Sequence, residues 1–144
     1  MSKFDLSRVI GNFFKLSEDD IINAERKMGL ELPSELKEFF KEVGYGFIKG
    51  SNSTAINRMI DPGTIADIRL RKGLYESDPD LDGLYDEESM LIFFEVNEGV
   101  YLALDLNDND KSPVYYFDVK IADSLTDFFL NMAKDTEFYL DLID

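Results

Sequence analysis

Met90-Leu91-Ile92-Phe93-Phe94-Glu95-Val96-Asn97-Glu98-Gly99-Val100-Tyr101-Leu102-Ala103-Leu104-Asp105-Leu106 is the stretch at which the hydrophobic period of the chain changes from 3.6 to 2. Met90 to Val96 is apolar on both faces, which suits a central strand covered on each side. Asn97-Glu98-Gly99 reads as a hairpin loop with Gly at its end, and Val100, Leu102, Leu104 and Leu106 alternate down the returning strand. A second turn, Asn107 to Ser112, leads to a strand over Val114 to Phe117, with Pro113 acceptable as its first residue.

Outward from this meander the pattern is helical. Leu6, Val9, Ile10, Phe13 and Phe14 fall at i, i+3, i+4, i+7 and i+8 and predict a short helix. Ser17 caps a second, with Glu18, Asp19 and Asp20 at the positive end of its dipole and Gly29 just past its end. Pro33 fixes φ at the entry to a third helix, Ser34 is its expected cap, and Leu36, Phe39, Phe40 and Val43 form its stripe before Gly44. Gly46 and Gly50 mark a turn-rich stretch, Ala55 to Ile60 a strand candidate, and Thr64 the cap of a short helix carrying Ile65 and Ile68. On the other side, Ser124 and Asp127 resemble a capping box ahead of Leu125, Phe128, Phe129 and Met132, and Phe138 to Ile143 predict one last turn or two of helix. The expected fold is a single α+β domain over residues 1–144, a central antiparallel sheet flanked by N-terminal and C-terminal helices.

Composition narrows the function. The 144 residues include 15 Lys and Arg against 30 Asp and Glu, a formal net charge of −15, and contain neither Cys nor His. That surface repels nucleic-acid phosphates and anionic lipid, and thiol and imidazole chemistry is excluded outright. The charge is also unevenly placed. Residues 1–72 hold 12 basic and 11 acidic side chains and sum to +1, whereas residues 73–144 hold 3 and 19 and sum to −16. The start of the chain has no apolar run or cleavage pattern of a signal peptide, and the longest apolar run, Met90 to Phe94, is far short of a membrane span of about 20 residues. The expected location is cytoplasmic.

The ordered set Ile22-Asn23-Ala24-Glu25, Met28-Gly29, Leu32-Pro33, Leu36, Phe39-Phe40 and Gly44 resembles the N-terminal signature of the SUKH superfamily, the group of the yeast cell-wall-assembly regulator and of many bacterial immunity proteins. Ile60-Asp61-Pro62, Ile92-Phe93-Phe94, Gly99, Tyr101, Pro113-Val114-Tyr115 and Ser124-Leu125 extend the resemblance over about residues 17 to 132. Where many relatives carry Trp near the last strand, this chain has Tyr115, Tyr116 and Phe117. The resemblance implies the α+β fold above, no enzymatic activity, and a structural motif made of Glu25, Gly29, Leu32, Pro33, Phe39, Phe40 and Gly44. Within that motif Glu25 borders the apolar stripe of its helix. Its expected role is an anchoring carboxylate hydrogen-bonded to backbone where two helices meet, ahead of a partner contact.

The sharpest chemical signal is Asp78-Pro79-Asp80-Leu81-Asp82-Gly83, which has the carboxylates and glycine of an opening EF-hand loop. The match breaks at its twelfth position, which is Ser89, with Glu88 one residue early. Asp78, Asp80 and Asp82 are thus a candidate calcium site in a stretch that reads more simply as an acidic turn. The third reading of the stretch is an interface. Glu76, Asp78, Asp80, Asp82, Asp86, Glu87 and Glu88 put seven carboxylates within thirteen residues, with Tyr85 among them as a rigid anchor. A basic partner would relieve their mutual repulsion and speed encounter. Asp108 and Asp110, in the turn after the hairpin, are expected to join this face. No Ser-x-x-Lys, Gly-x-Ser-x-Gly or phosphate-loop pattern occurs.

The expectation is therefore a non-enzymatic protein-binding module without cofactor, small-molecule substrate, nucleic acid or membrane partner. Its leading function is an immunity protein that occludes a basic, nuclease-type toxin. A regulatory scaffold of the cell-wall branch is the alternative, and a calcium-responsive module stands third.

Overall fold

The computed structural model describes residues 11–48, 56–81, 83, 85, 86, 88–106, 112–135 and 138–143. Strands β1 (Gly11–Phe14), β2 (Tyr45–Ile48), β3 (Arg58–Met59), β4 (Met90–Asn97), β5 (Val100–Asp105), β6 (Val114–Tyr116) and β7 (Val119–Ala122) form one antiparallel sheet whose spatial order is the sequence order. Helices α1 (Glu18–Met28) and α2 (Ser34–Glu42) lie between β1 and β2. Helix α3 (Pro62–Leu70) follows β3, and α4 (Leu125–Lys134) and the short α5 (Leu140–Ile143) close the chain. The fold is α+β, as the pattern predicts.

The meander forms where its period requires. Glu98 and Gly99 turn β4 into β5, a loop one residue tighter than expected, and Pro113 stands just outside β6, leaving its carbonyl free to accept from Asp105 N. Register defines the two faces of the sheet. Leu91, Leu104 and Val114 stand opposite one another on one face, and Ile92, Ala103 and Tyr115 on the other. A bulge at Phe93 adds one residue to β4, so two consecutive phenylalanines serve the same side. Phe93 and Phe94 both pack edge-on against Phe128 of α4, at 5.7 and 5.3 Å between ring centres. Phe39 of α2 stacks on Phe129 of α4 at 4.0 Å and 6°, which joins the two helices over the same core. Phe39, Phe40, Phe93, Phe94, Phe128 and Phe129 are all fully buried.

Helix punctuation matches in part. Ser17 caps α1 with the reciprocal Ser17–Asp20 pair, and Gly29 takes φ +72° at its end. Two expected caps shift. Pro33 occupies the cap position of α2 with no side-chain bond, Ser34 being the first helical residue. At α3 the cap is Asp61, whose carboxylate accepts from Thr64 N at 3.1 Å and from Thr64 Oγ1 at 2.6 Å. Asp61 is the better acceptor for the exposed helix amides, and Pro62 needs no partner at the first position.

The expected helix over Leu6–Phe14 does not extend into the described part of that segment: Gly11–Phe14 is strand β1. Phe13 faces Phe39, with ring centres 6.4 Å apart, while Phe14 is 53% exposed, an alternation of period 2 that the short apolar run concealed. Gly44 ends α2 as expected, but Gly46, expected in a turn with Gly50, lies inside β2, while Gly50 is outside the described residues; Gly44 and Gly46 are what admits β1. A Cβ on Gly44 would meet Phe14 O at 1.9 Å and one on Gly46 would meet Asn12 O at 2.1 Å. The backbones approach as closely as they do because both positions lack one. Strand β7 has no counterpart in the sequence pattern, and among the described residues of the Ala55–Ile60 candidate only Arg58–Met59 is strand.

Candidate partner-binding face

Several residues of the family motif make bonds within the fold. Glu25 Oε2 accepts from Leu32 N at 2.8 Å and lies 3.4 Å from Lys37 Nζ. Its carboxylate thus ties the α1–α2 connection to both helices. Burial acts against the Lys37 charge, but Glu25 and Glu31 outweigh it and hold the amine above its ordinary value. Leu32 is buried, and Gly44 at φ +106° donates to Phe39 O at the end of α2.

A second carboxylate, not singled out by sequence, is more deeply committed. Glu35 of α2 is 4% exposed and accepts from Ser112 N (2.8 Å), Leu125 N (3.1 Å), Thr126 N (3.2 Å) and Thr126 Oγ1 (2.6 Å). It satisfies the open amides at the start of α4, where negative charge is also favoured by the helix dipole.

The acidic stretch is docked on the sheet. Two short 3-10 turns, Gly73–Tyr75 and Pro79–Leu81, carry it past α3, and Leu81 is buried. Arg71, at the end of α3 with φ +54°, donates from Nε to Tyr75 O at 2.6 Å and from Nη2 to Asp78 O at 2.9 Å. Both ends of one guanidinium thereby hold the start of the loop. Arg69 Nη1 donates to Met90 O at 3.1 Å where the loop rejoins β4. The cover that the two-sided apolar pattern of β4 calls for thus includes the acidic segment itself, whose Leu81 and Tyr85 line one cavity with Ile68, Met90 and Ile92.

Tyr85 secures the far end. Its hydroxyl accepts from Phe117 N at 2.8 Å and donates to Tyr101 O at 2.6 Å, with Tyr115 O 3.3 Å away. The hydroxyl takes the place of a direct bond at the end of the β5–β6 ladder. Burial pushes this phenol up to about 12. Tyr101, directly opposite Glu95 on the same face, is also held at about 12, by burial and then by the negative field of Glu95. Glu95 pairs with Arg58 at 3.2 Å.

Three of the loop's described carboxylates face outward. Glu76, Asp86 and Glu88 are exposed and Asp78 is half-buried. Asp86 Oδ1 accepts from Glu88 N at 3.0 Å and shapes the turn into β4. Asp82, Glu87, Asp108, Asp110 and the side chain of Asp80 lie outside the described residues, so the Asp78, Asp80, Asp82 calcium triad does too. Among the described residues no three carboxylates converge as metal ligands would, and no helix is long and apolar enough to cross a membrane.

Beside the loop, the turn between β6 and β7 completes a shallow hollow of about 380 Å³ lined by Tyr85, Asp86, Met90, Tyr115, Phe117 and Asp118. Phe117 was expected inside a strand. It stands in the turn at φ +55° and is 38% exposed, its ring stacked on Tyr85 at 6.2 Å and edge-on to Tyr116 at 4.8 Å. No sequence signal separates Phe117 from the strand residues before it, and Asp118 alone hints at the turn.

The comparisons agree with this architecture. The sequence model of the SMI1-KNR4 cell-wall family, SUKH_6, matches residues 18–129. A curated relative from Bacillus subtilis (strain 168), named immunity protein YxxD, is 44% identical over 135 residues, 92% of this chain and 90% of its own length. The chain belongs to the SUKH superfamily.

Proposed function

We propose that the protein is a non-enzymatic immunity protein that neutralises a toxin by covering it with the acidic face of residues 76–88. The observation that carries the reading is the match, over nearly the whole of both chains, to a relative named as an immunity protein. The charge split supports a basic target of the nuclease type, because carboxylates held outward take the place of substrate phosphates. Tyr85 and Arg71 support it further. They hold the loop to the sheet at Tyr75, Asp78 and Tyr85, which lowers the ordering cost of binding at those points.

The test is co-expression with any toxin-like domain that a neighbouring gene encodes. Rescue of growth and a complex that forms at low salt and weakens at high salt are the expected results. Replacing Asp78, Asp80, Asp82, Asp86, Glu87 and Glu88 by their amides should abolish both. Rescue with unchanged binding in that variant would remove the acidic face from the mechanism, and failure to rescue would remove the immunity function. The family description, which names the cell wall, favours the regulatory scaffold as the second reading. On that reading the protein holds partners together and confers no protection.

A further inference from the structure

The turn at Phe117 is unusual for what it exposes. A bulky residue at positive φ is strained, and glycine or asparagine would occupy φ +55° more easily. The ring is 38% exposed, so it returns little burial in exchange for that conformation. What its position does create is a wall: Phe117, stacked on Tyr85, stands with Tyr115 and Met90 around the hollow, and Asp86 and Asp118 stand exposed at its edge.

We propose that this hollow receives a cationic side chain, an arginine by preference, from the protein that the acidic face binds; the proposal rests on the partner-binding reading above. Aromatic faces attract a cation through the ring quadrupole, and two carboxylates nearby supply charge and hydrogen-bond acceptors. Among the described residues no lysine or arginine lines the hollow, and Lys120, across the ladder from Tyr115, pairs with Asp123 at 2.9 Å instead, which leaves the aromatic wall and its two carboxylates open to a cation from the partner. Arginine fits better than lysine because its planar guanidinium stacks on a ring while its edge meets a carboxylate. The acidic loop would thus set the long-range attraction, and the hollow the register at which the partner stops.

The test needs no toxin. The full chain, labelled with 15N, is titrated with the capped tripeptide acetyl-Gly-Arg-Gly-amide and with its lysine and citrulline counterparts. Saturable shifts at the amides of Asp86, Tyr115, Phe117 and Asp118 are expected in the millimolar range. They should be stronger with arginine than lysine and absent with citrulline, which keeps the shape without the charge. Phe117→Gly suits the backbone and removes the wall, so it should stay folded and bind the arginine peptide about three- to thirty-fold more weakly. Asp118→Asn should weaken binding without disturbing the aromatic stack. Shifts confined to residues 76–80, or equal binding by Phe117→Gly, overturn the hollow while leaving the toxin reading intact. Failure of growth rescue with the peptide still seated would instead overturn the toxin reading alone.

Discussion

The carboxylate of Glu35 holds the hydroxyl of Thr126 at 2.6 Å across a separation of 91 residues, and the same oxygen accepts from the Thr126 amide. One buried side chain therefore joins α2 to the first turn of α4, and through Ser112 to the approach to β6. Glu35→Ala would leave several buried donors unpaired at once. The expected loss is about 3–4 kcal/mol, read as a lower urea midpoint at unchanged slope. Glu35→Gln, which keeps one acceptor oxygen, should lose less.

Tyr85→Phe should cost about 1–3 kcal/mol, because Phe117 N and Tyr101 O lose the hydroxyl between them. The same variant should change the alkaline limb of stability. A phenol raised from about 10 in the unfolded chain to about 12 in the fold favours the folded state below pH 10. That contribution is lost as pH rises from 10 to 12, because the unfolded chain gives up its proton first. Thermal melts over this range should fall less steeply in Tyr85→Phe than in the wild type. Some slope should remain, since Tyr101 is raised to about 12 as well.

Amide substitutions at the exposed Glu76, Asp86 and Glu88 should leave stability unchanged or raise it by a few tenths of a kcal/mol each, by relieving like-charge repulsion. Asn at 86 keeps the oxygen that accepts from Glu88 N. Urea titrations of the triple variant, set beside its weaker complex at low salt, would separate the two effects.

Gly46→Ala should destabilise by at least about 2 kcal/mol, since the added carbon would both overlap Asn12 O and sit at φ +143°. The damage should be local. Amide exchange should accelerate in Asn12 and Phe14 before it does in the β4–β5 hairpin.

Sequence reading recovers the α+β class, both helices of the family motif and the β4–β5 hairpin, because each leaves a local trace: a cap, a stripe or an alternation. What it loses is decided at a distance. Strand β1 carries a helix-like spacing and becomes a strand because Gly44 and Gly46 open room beside it, thirty residues on. Glu35 looks like any acidic residue in a first helical turn until α4 arrives above it. Tyr85 reads in the sequence as a rigid anchor among carboxylates, with nothing to show which way its hydroxyl turns. Its hydroxyl points into the sheet, and the ring left facing outward is that of Phe117. The acidic loop itself was evident from composition, but its attachment by Arg71 was not, since guanidinium-to-carbonyl bonds follow no spacing rule.

That the strands lie in the sheet in the order of the chain bears on how the protein folds. Pairings from β4 to β7 close over short connections, whereas β1 meets β2 only after α1 and α2 have been spanned. Loop-closure entropy favours the short pairings, so the meander should be organised in the transition state while the amino-terminal strand joins late. Conservative truncations at Leu102, Leu104 and Val114 should then slow folding, and those at Phe13 and Ile48 should mainly hasten unfolding. In such an order the sheet segment that carries Tyr115 and Phe117 is assembled early, and the family's amino-terminal signature completes the molecule around it.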